Sequence, residues 1–395
     1  MIKLKEVEIV NYRSCFKTKL ELHDNLTTLI GINGVGKSNI MNSLQLLKQC
    51  LKSRRHYRDD SVDLQNTRLD LRIQLEDSIV ILRSDIYYET DERNFDYVNF
   101  ARIQFRYDGG NPRKWTKIHL GFYDYIRRPS ENNRLIKKKY QTKRARTSFQ
   151  ILQLISNISY YSATQFADPT RCPISIELED FRLSRRYRGN RFHEIFIFDL
   201  YRTFILNQKT FELFLNTVNQ NGIQLIDDFN FNVHKIPSSS YKVKSGGQIE
   251  KIEKHKKIII PSVVVDGLTL SPNQLSEGTF KSLALAFYIL IDDSKLLLIE
   301  EPEVCVHHGL LDSIIELIKS QSRRKQIIIS THSDYVLDKL SPENIILVNK
   351  NKSKGTKAKK LTKAMSINDF QALKEYLGKS GNLGEYWIES GFEDE

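Results

Sequence analysis

The chain has 395 residues, 40% of them hydrophobic, and a formal net charge of +12. That length suits one large domain or two, and the apolar fraction supports a sizeable core. No stretch approaches the roughly 18–20 uninterrupted apolar residues of a membrane span, so a protein without a membrane segment is expected. Met1–Asn11 mixes charge with apolar residues and lacks the apolar stretch of a secretory leader, so it reads as a first strand. Cys15, Cys50, Cys172 and Cys305 are scattered without a CxxC pair, which argues against a zinc site or disulfide framework and for a reducing, cytoplasmic setting.

Leu26–Ile30 is a short apolar run and reads as a buried strand. Beyond it, Ile40, Met41, Leu44, Leu47 and Leu51 recur at helical spacing. Gly31-x-x-x-x-Gly36-Lys37-Ser38 falls between this strand and this helix, the context that a phosphate-binding loop requires. Its glycines let backbone N–H groups turn inward around phosphate oxygens, and the new helix points its positive end at the same anion. Asn33, Gly34, Val35, Gly36, Lys37, Ser38 and Asn39 are therefore candidate nucleotide-binding residues, with Lys37 reaching the phosphates and the Ser38 hydroxyl holding Mg²⁺.

From Leu69 to Leu120 apolar and polar residues alternate, with turns at Glu76-Asp77 and Asp108-Gly109-Gly110, which predicts an antiparallel sheet. Between Arg113 and Arg146 stand twelve Lys and Arg against two acids, Asp124 and Glu131. This segment reads as a basic loop, and Lys137, Lys138, Lys139, Lys143 and Arg144 are its candidate contacts to nucleic acid or to an acidic protein. The alternative is a solvated run with no ligand. "RLSRRYRGNR" (Arg182–Arg191) is a second basic knot. Ile158–Ala163 is a further strand candidate, Arg191–Ile226 has helical spacing, and Phe229–Val265 returns to strands. Lys350–Lys363 reads as a lysine-rich loop, followed by a short helix and an acidic tip.

Two aliphatic strands carry chemistry at their ends. "KLLLIEEPE" (Lys295–Glu303) ends in adjacent carboxylates, which are costly at a buried strand tip unless they hold a metal or act in catalysis. After a phosphate-binding loop, Glu300 is the candidate Mg²⁺ support and Glu301 the candidate base for water. "QIIISTHSDYVLD" (Gln326–Asp338) ends in Thr331-His332; in a parallel sheet beside the first strand, His332 would reach the terminal phosphate. Upstream, Leu275-Ser276-Glu277-Gly278-Thr279 opens a strongly apolar helix whose N-terminus suits an anion.

This order of motifs resembles that of the ABC-type ATPases. LSEGT is similar to their LSGGQ signature, with Glu277 and Thr279 departing at its third and fifth positions, and Glu300 stands where most members have Asp. "EIVNYRSC" (Glu8–Cys15) resembles the opening of the branch that includes RecF, Rad50, the SMC proteins and the OLD ATPases, which would put Arg13 near the nucleotide. The motifs look most like the OLD branch. The resemblance covers residues 1–55 and 255–340 well, 55–165 by strand pattern alone, and leaves 166–250 unexplained.

The resemblance implies an α/β fold: an ABC-ATPase head, with a P-loop core sheet and an antiparallel β subdomain, carrying an inserted helical subdomain. The expected parts are an N-lobe over 1–165 with a basic loop at 113–147, a helical insertion over 166–250, a C-lobe over 251–349 and a tail over 350–395. It implies ATP and Mg²⁺ as ligands, and a homodimer or higher oligomer in which Ser276, Glu277 and Gly278 of one chain complete the site of another. A glutamine after the antiparallel strands would sense Mg²⁺; Gln165 suits that role, with Gln104 and Gln141 as alternatives. Neither a Toprim nuclease pattern nor a long coiled coil is recognisable, so the expectation is a stand-alone ATPase subunit of the kind found in Septu- and PARIS-type anti-phage systems. Such a subunit senses a trigger and controls a separate nuclease or toxin. The alternatives are a RecF-like ATPase acting directly on DNA, and an ATP-binding scaffold with negligible turnover.

Overall fold

The computed structural model describes residues 2–52, 66–90, 96–120, 126, 142–179, 192–243, 249–304, 306, 308–379 and 381–390. The chain divides into two compact units. The first comprises Met1–Tyr161, Asp293–Glu303 and Ile315–Glu395, and the second Ser162–Asp292 and Val304–Ile314. The strands run β1 (Lys3–Tyr12), β2 (Cys15–Glu21), β3 (Leu26–Ile30), β4 (Thr67–Gln74), β5 (Ile79–Thr90), β6 (Asp96–Tyr107), β7 (Thr116–Lys117) and β8 (Ile158–Ser162). They continue as β9 (Ile176–Glu179), β10 (Asp228–Val243), β11 (Ile249–Val265), β12 (Leu268–Leu270), β13 (Leu296–Glu300), β14 (Gln326–Thr331), β15 (Ile345–Asn351) and β16 (Gly355–Lys360). The helices used below are α1 (Lys37–Lys52), α2 (Lys143–Ser156), α3 (Phe192–Leu206), α4 (Gln208–Val218), α5 (Glu277–Leu290), α6 (His308–Ser322) and α7 (Asp334–Asp338). No described helix is long and apolar enough to cross a membrane.

In the first unit, β2-β1-β4-β5-β6-β7 form an antiparallel sheet. Its strands alternate, so β4 buries Leu69, Leu71 and Ile73 and turns Arg68, Asp70 and Arg72 outward. The second sheet has the order β16-β15-β3-β14-β13-β8. Its centre is parallel, β15–β3–β14–β13, and β3, β13 and β14 are near-continuous aliphatic runs because both faces are covered. Residues of both sheets share one core with Ile40, Met41, Leu44 and Leu47 of α1 and Ile151, Leu152 and Ile155 of α2.

The second unit carries α3, α4 and α5 and a sheet in which β11 pairs with β10, β12 and β9. The block read as a helical insertion is therefore mixed, because the long β10–β11 ribbon starts inside it. The signature helix α5 clusters with this block rather than with the first unit. Phe196, Phe214, Phe280 and Phe287 pack against one another in its core.

Two loop assignments are corrected. The basic segment is not a continuous loop, since Thr116–Lys117 is a strand and Lys143 opens α2, capped by the Thr142 hydroxyl accepting from Ala145 N–H. Lys143 and Arg144 thus stand in a helical first turn, and the Lys143 ammonium lies 5.1 Å from the centre of the Tyr107 ring. Lys350–Lys363 is not a loop either. It holds most of the β15–β16 hairpin, with Gly355 at φ +69° and Thr356 fully buried, while Lys357 and Lys359 alternate outward. Lysine-rich composition concealed the period of two.

Candidate nucleotide site

The register aligns three strand ends. Glu300 of β13 pairs with Ser330 of β14, and Thr331 of β14 pairs with Ile30 of β3. The chain leaves all three strands on the same edge, where open α/β sheets bind ligands. The loop after β3, the acids after β13 and the histidine after β14 thus meet in the first unit.

The loop Gly31–Ser38 wraps into α1. Gly34 and Gly36 have φ of +84° and +108°, values that L side chains rarely adopt. A Cβ on Gly36 would stand 2.2 Å from Thr356 Oγ1, and one on Gly31 would stand 2.2 Å from Val348 O. Lys37 is buried and curls over the loop, donating to Gly31 O at 2.6 Å and Ile32 O at 3.1 Å. Burial lowers its pKa, and the nearby carboxylates of Glu301, Glu303 and Glu300 oppose that shift. Asn33, Gly34 and Ser38 are exposed and Val35 is buried. Asn39 Oδ1 accepts from Arg13 Nη1 at 3.3 Å, and Asn39 Nδ2 donates to Ser14 Oγ at 2.7 Å. The Thr356 hydroxyl donates to Val35 O at 2.7 Å and lies 2.8 Å from Ser14 Oγ, so β16 braces the loop from behind.

The Tyr160 hydroxyl, on β8, donates to Glu300 Oε2. Glu301 has φ +45°, a left-handed conformation unusual outside glycine, and its N–H donates to Ser330 O at 2.9 Å. His332 Nδ1 lies 3.4 Å from Glu301 Oε1 and 3.6 Å from Glu303 Oε1. Glu303 Oε1 also accepts from the Thr331 hydroxyl at 2.7 Å and from His332 N–H at 3.3 Å. Burial raises the pKa of Glu303, partly offset by these hydrogen bonds.

A nucleotide and Mg²⁺ fit these residues. Positive-φ glycines, a helix N-terminus and Lys37 make an anion cradle. Among the described residues no three His, Cys, Asp or Glu side chains form a metal cage. Ser38, exposed in the first turn of α1, and Glu300, at the end of β13, are oxygen donors of the kind that Mg²⁺ takes alongside phosphates and water.

Gln165, Ser276, Glu277 and Gly278 lie in the second unit. Gln165 sits on a short 3₁₀ turn beside a cavity of about 400 Å³ that Asp168, Arg171, Phe192 and His193 also line. Its Oε1 is buried without a hydrogen-bond partner among the described residues. Ser276 caps α5, its hydroxyl accepting from Thr279 N–H at 3.2 Å. Glu277, a departure from the signature, pairs with the buried Lys281 at 2.5 Å, one turn along the helix. Lys137, Lys138, Lys139 and Gln141 lie outside the described residues, as does Arg182–Arg191. Gln104 is on β6. Tyr160, Glu303, Thr331, Ser14 and Thr356 were missed by the motif reading. Only Glu303 had a local signal, as a third acid within four residues of Glu300.

Three comparisons bear on this geometry. The RecF DNA replication and repair protein of Phocaeicola vulgatus is 26% identical over 127 residues, covering 31% of this chain and 31% of that protein. The match thus spans about a third of the curated relative. An SMC head solved bound to the C-winged helix domain of ScpA is 14% identical, with 94% of this chain and 99% of that chain covered and a TM-score of 0.51. An SMC head domain from Thermotoga maritima is 12% identical, with 90% and 98% covered and a TM-score of 0.42. The first of these structures shares the fold, that of an ABC-type ATPase head. The family model described as "AAA domain, putative AbiEii toxin, Type IV TA system" matches residues 26–338. That stretch runs from the first residue of β3 to the last of α7 and takes in the loop, the strand-end acids and the histidine, so the chain belongs to this AAA-domain family.

Proposed function

We propose that the protein is a cytoplasmic ATPase subunit that closes into a homodimer or higher oligomer around ATP and regulates a separate nuclease or toxin in anti-phage defence. The observation that carries the ATPase reading is the meeting of Lys37, Ser38, Glu300, Glu301 and His332 at the ends of three adjacent strands. Lys37 and the loop N–H groups hold the phosphates. Ser38 and Glu300 would hold Mg²⁺, whose charge offsets that developing on the phosphoryl oxygens. Glu301 orients and deprotonates the attacking water, and His332 donates to the terminal phosphate. Ser276, Glu277 and Gly278 at the start of α5 serve the site of a partner chain, where a helix N-terminus stabilises anionic charge only after closure. ATP is thus the glue of the closed state and hydrolysis its release.

Glu301→Gln tests the reading. It should bind ATP, lose about 10²–10⁴ in turnover and accumulate as closed oligomers in size-exclusion chromatography with ATP. Wild-type turnover in this variant refutes the role of Glu301. Mixing Lys37→Ala with Ser276→Arg should restore activity only if each site draws on two chains. A second reading, a RecF-like ATPase acting directly on DNA, is favoured by the partial RecF similarity and by the cations of 113–146, Lys143 and Arg144 among them. Stimulation of the isolated protein by DNA would support it over effector control. An acidic phage protein is the other ligand those cations suit.

A further inference from the structure

Glu303 has no part in the mechanism above. It lies in the turn after β13, and its side chain is 10% exposed. One oxygen, Oε1, gathers the Thr331 hydroxyl, the His332 N–H and the Nδ1 edge of the His332 ring. The other, Oε2, is buried with no hydrogen-bond partner among the described residues. A half-satisfied carboxylate is a poor way to stabilise a turn, since burying it costs more than its contacts return. Glu301, whose oxygen faces the same ring nitrogen, is 33% exposed. One ring edge therefore faces two carboxylates, one enclosed and one open to solvent.

We propose that Glu303 is a positioning residue for His332. The proposal rests on the assignment of Glu301 and His332 to the hydrolytic site. The enclosed carboxylate stands 3.6 Å from Nδ1, a small ring movement from accepting its proton, and in accepting it would fix the ring's tautomer and direction, as second carboxylates do for functional histidines elsewhere. Its hold on Thr331 and on the His332 N–H sets where the ring leaves the strand. With the Nδ1–H held by Glu303, Glu301, whose oxygen now lies 3.4 Å from the same nitrogen, is released to water.

The experiment is a double-mutant cycle of Glu303→Gln and His332→Ala, read with steady-state ATP hydrolysis, nucleotide affinity and ¹⁵N NMR of histidine-labelled protein. Gln keeps the size and one acceptor oxygen but loses the charge. Glu303→Gln should lower kcat by roughly 10–100-fold at unchanged KM and ATP affinity. In the His332→Ala background the same change should cost nothing further, because its effect passes through the ring. The wild-type Nδ1 resonance should be that of a protonated nitrogen and should move toward the unprotonated position in Glu303→Gln. Additive losses, or an unchanged Nδ1 resonance, overturn the proposal. The resonance is read without turnover, so a His332→Ala background too slow to measure leaves the test intact. A wild type that neither binds nor hydrolyses ATP refutes the ATPase reading instead.

Discussion

Gln326 ties the two sheets of the first unit together through one side chain. It opens β14 and is 1% exposed. Its Nε2 donates to Leu4 O at 2.8 Å and to His23 O at 2.9 Å, and its Oε1 accepts from Leu4 N–H at 2.9 Å. The β1–β2 ladder begins at Glu6, so at Leu4 the Gln326 amide stands in for a neighbouring peptide. Gln326→Met keeps the volume and removes all three bonds. His23 O is only partly buried and can turn to water, whereas both Leu4 groups are left buried and unpaired. At about 1–2 kcal/mol for each such group, the loss is about 2–4 kcal/mol. Burying a thioether in place of an amide offsets part of this, so the lower end, about 2 kcal/mol, is the expected loss. For a unit of this size that corresponds to a fall of about 4–8 °C in the unfolding midpoint. Circular-dichroism melts of the two proteins measure it, and hydrogen exchange should show the Leu4 amide losing protection. A midpoint within about 1 °C of wild type, with Leu4 still protected, would refute the reasoning.

Glu301→Gly should relieve the left-handed backbone and raise the unfolding midpoint, by up to about 1 kcal/mol of stability, while abolishing turnover; a lower midpoint would show that the φ of +45° carries no strain. Gly36→Ala adds a Cβ against Thr356 at a φ forbidden to alanine, so ATP affinity should fall at least about tenfold. Gly34→Ala meets nothing within 4 Å and should cost less; equal affinities for the two variants in a fluorescent-nucleotide titration would contradict this. Cys15, Cys50 and Cys172 are buried thiols whose pKa burial raises, to about 12 for Cys172. All three should resist a maleimide at pH 8 in the native protein and react in urea, as mass spectrometry of labelled peptides would report.

The parallel centre of the second sheet was legible because β3, β13 and β14 are short, fully or almost fully buried, mostly aliphatic runs, each followed at once by its candidate site residues. Chemistry that depends on one strand end can be read from one stretch of chain. Glu303 could not be assigned in that way, since its contacts come from Thr331 and His332, which follow a helix and a strand later. Tyr160 reads as one more apolar residue of a strand until β8 is found in the same sheet as β13. The β16 strand was hidden by four lysines in twelve residues before its last pair, although Thr356 and Ala358 alternate with Lys357 and Lys359. Glu277 departs from the signature pattern, and its reason became visible only with the buried Lys281 as its partner.

The Thr356 hydroxyl that holds Val35 lies 321 residues further along the chain. At about 5–20 residues per second, a ribosome takes roughly 15–65 s to travel between them. Throughout that time β3, central in its sheet, waits for the strands on both sides, and the phosphate loop has no rear wall. A chain ending before β16 would therefore carry the whole loop motif without the hydroxyl that braces Val35 from behind, a dependence that the motif's own residues do not reveal.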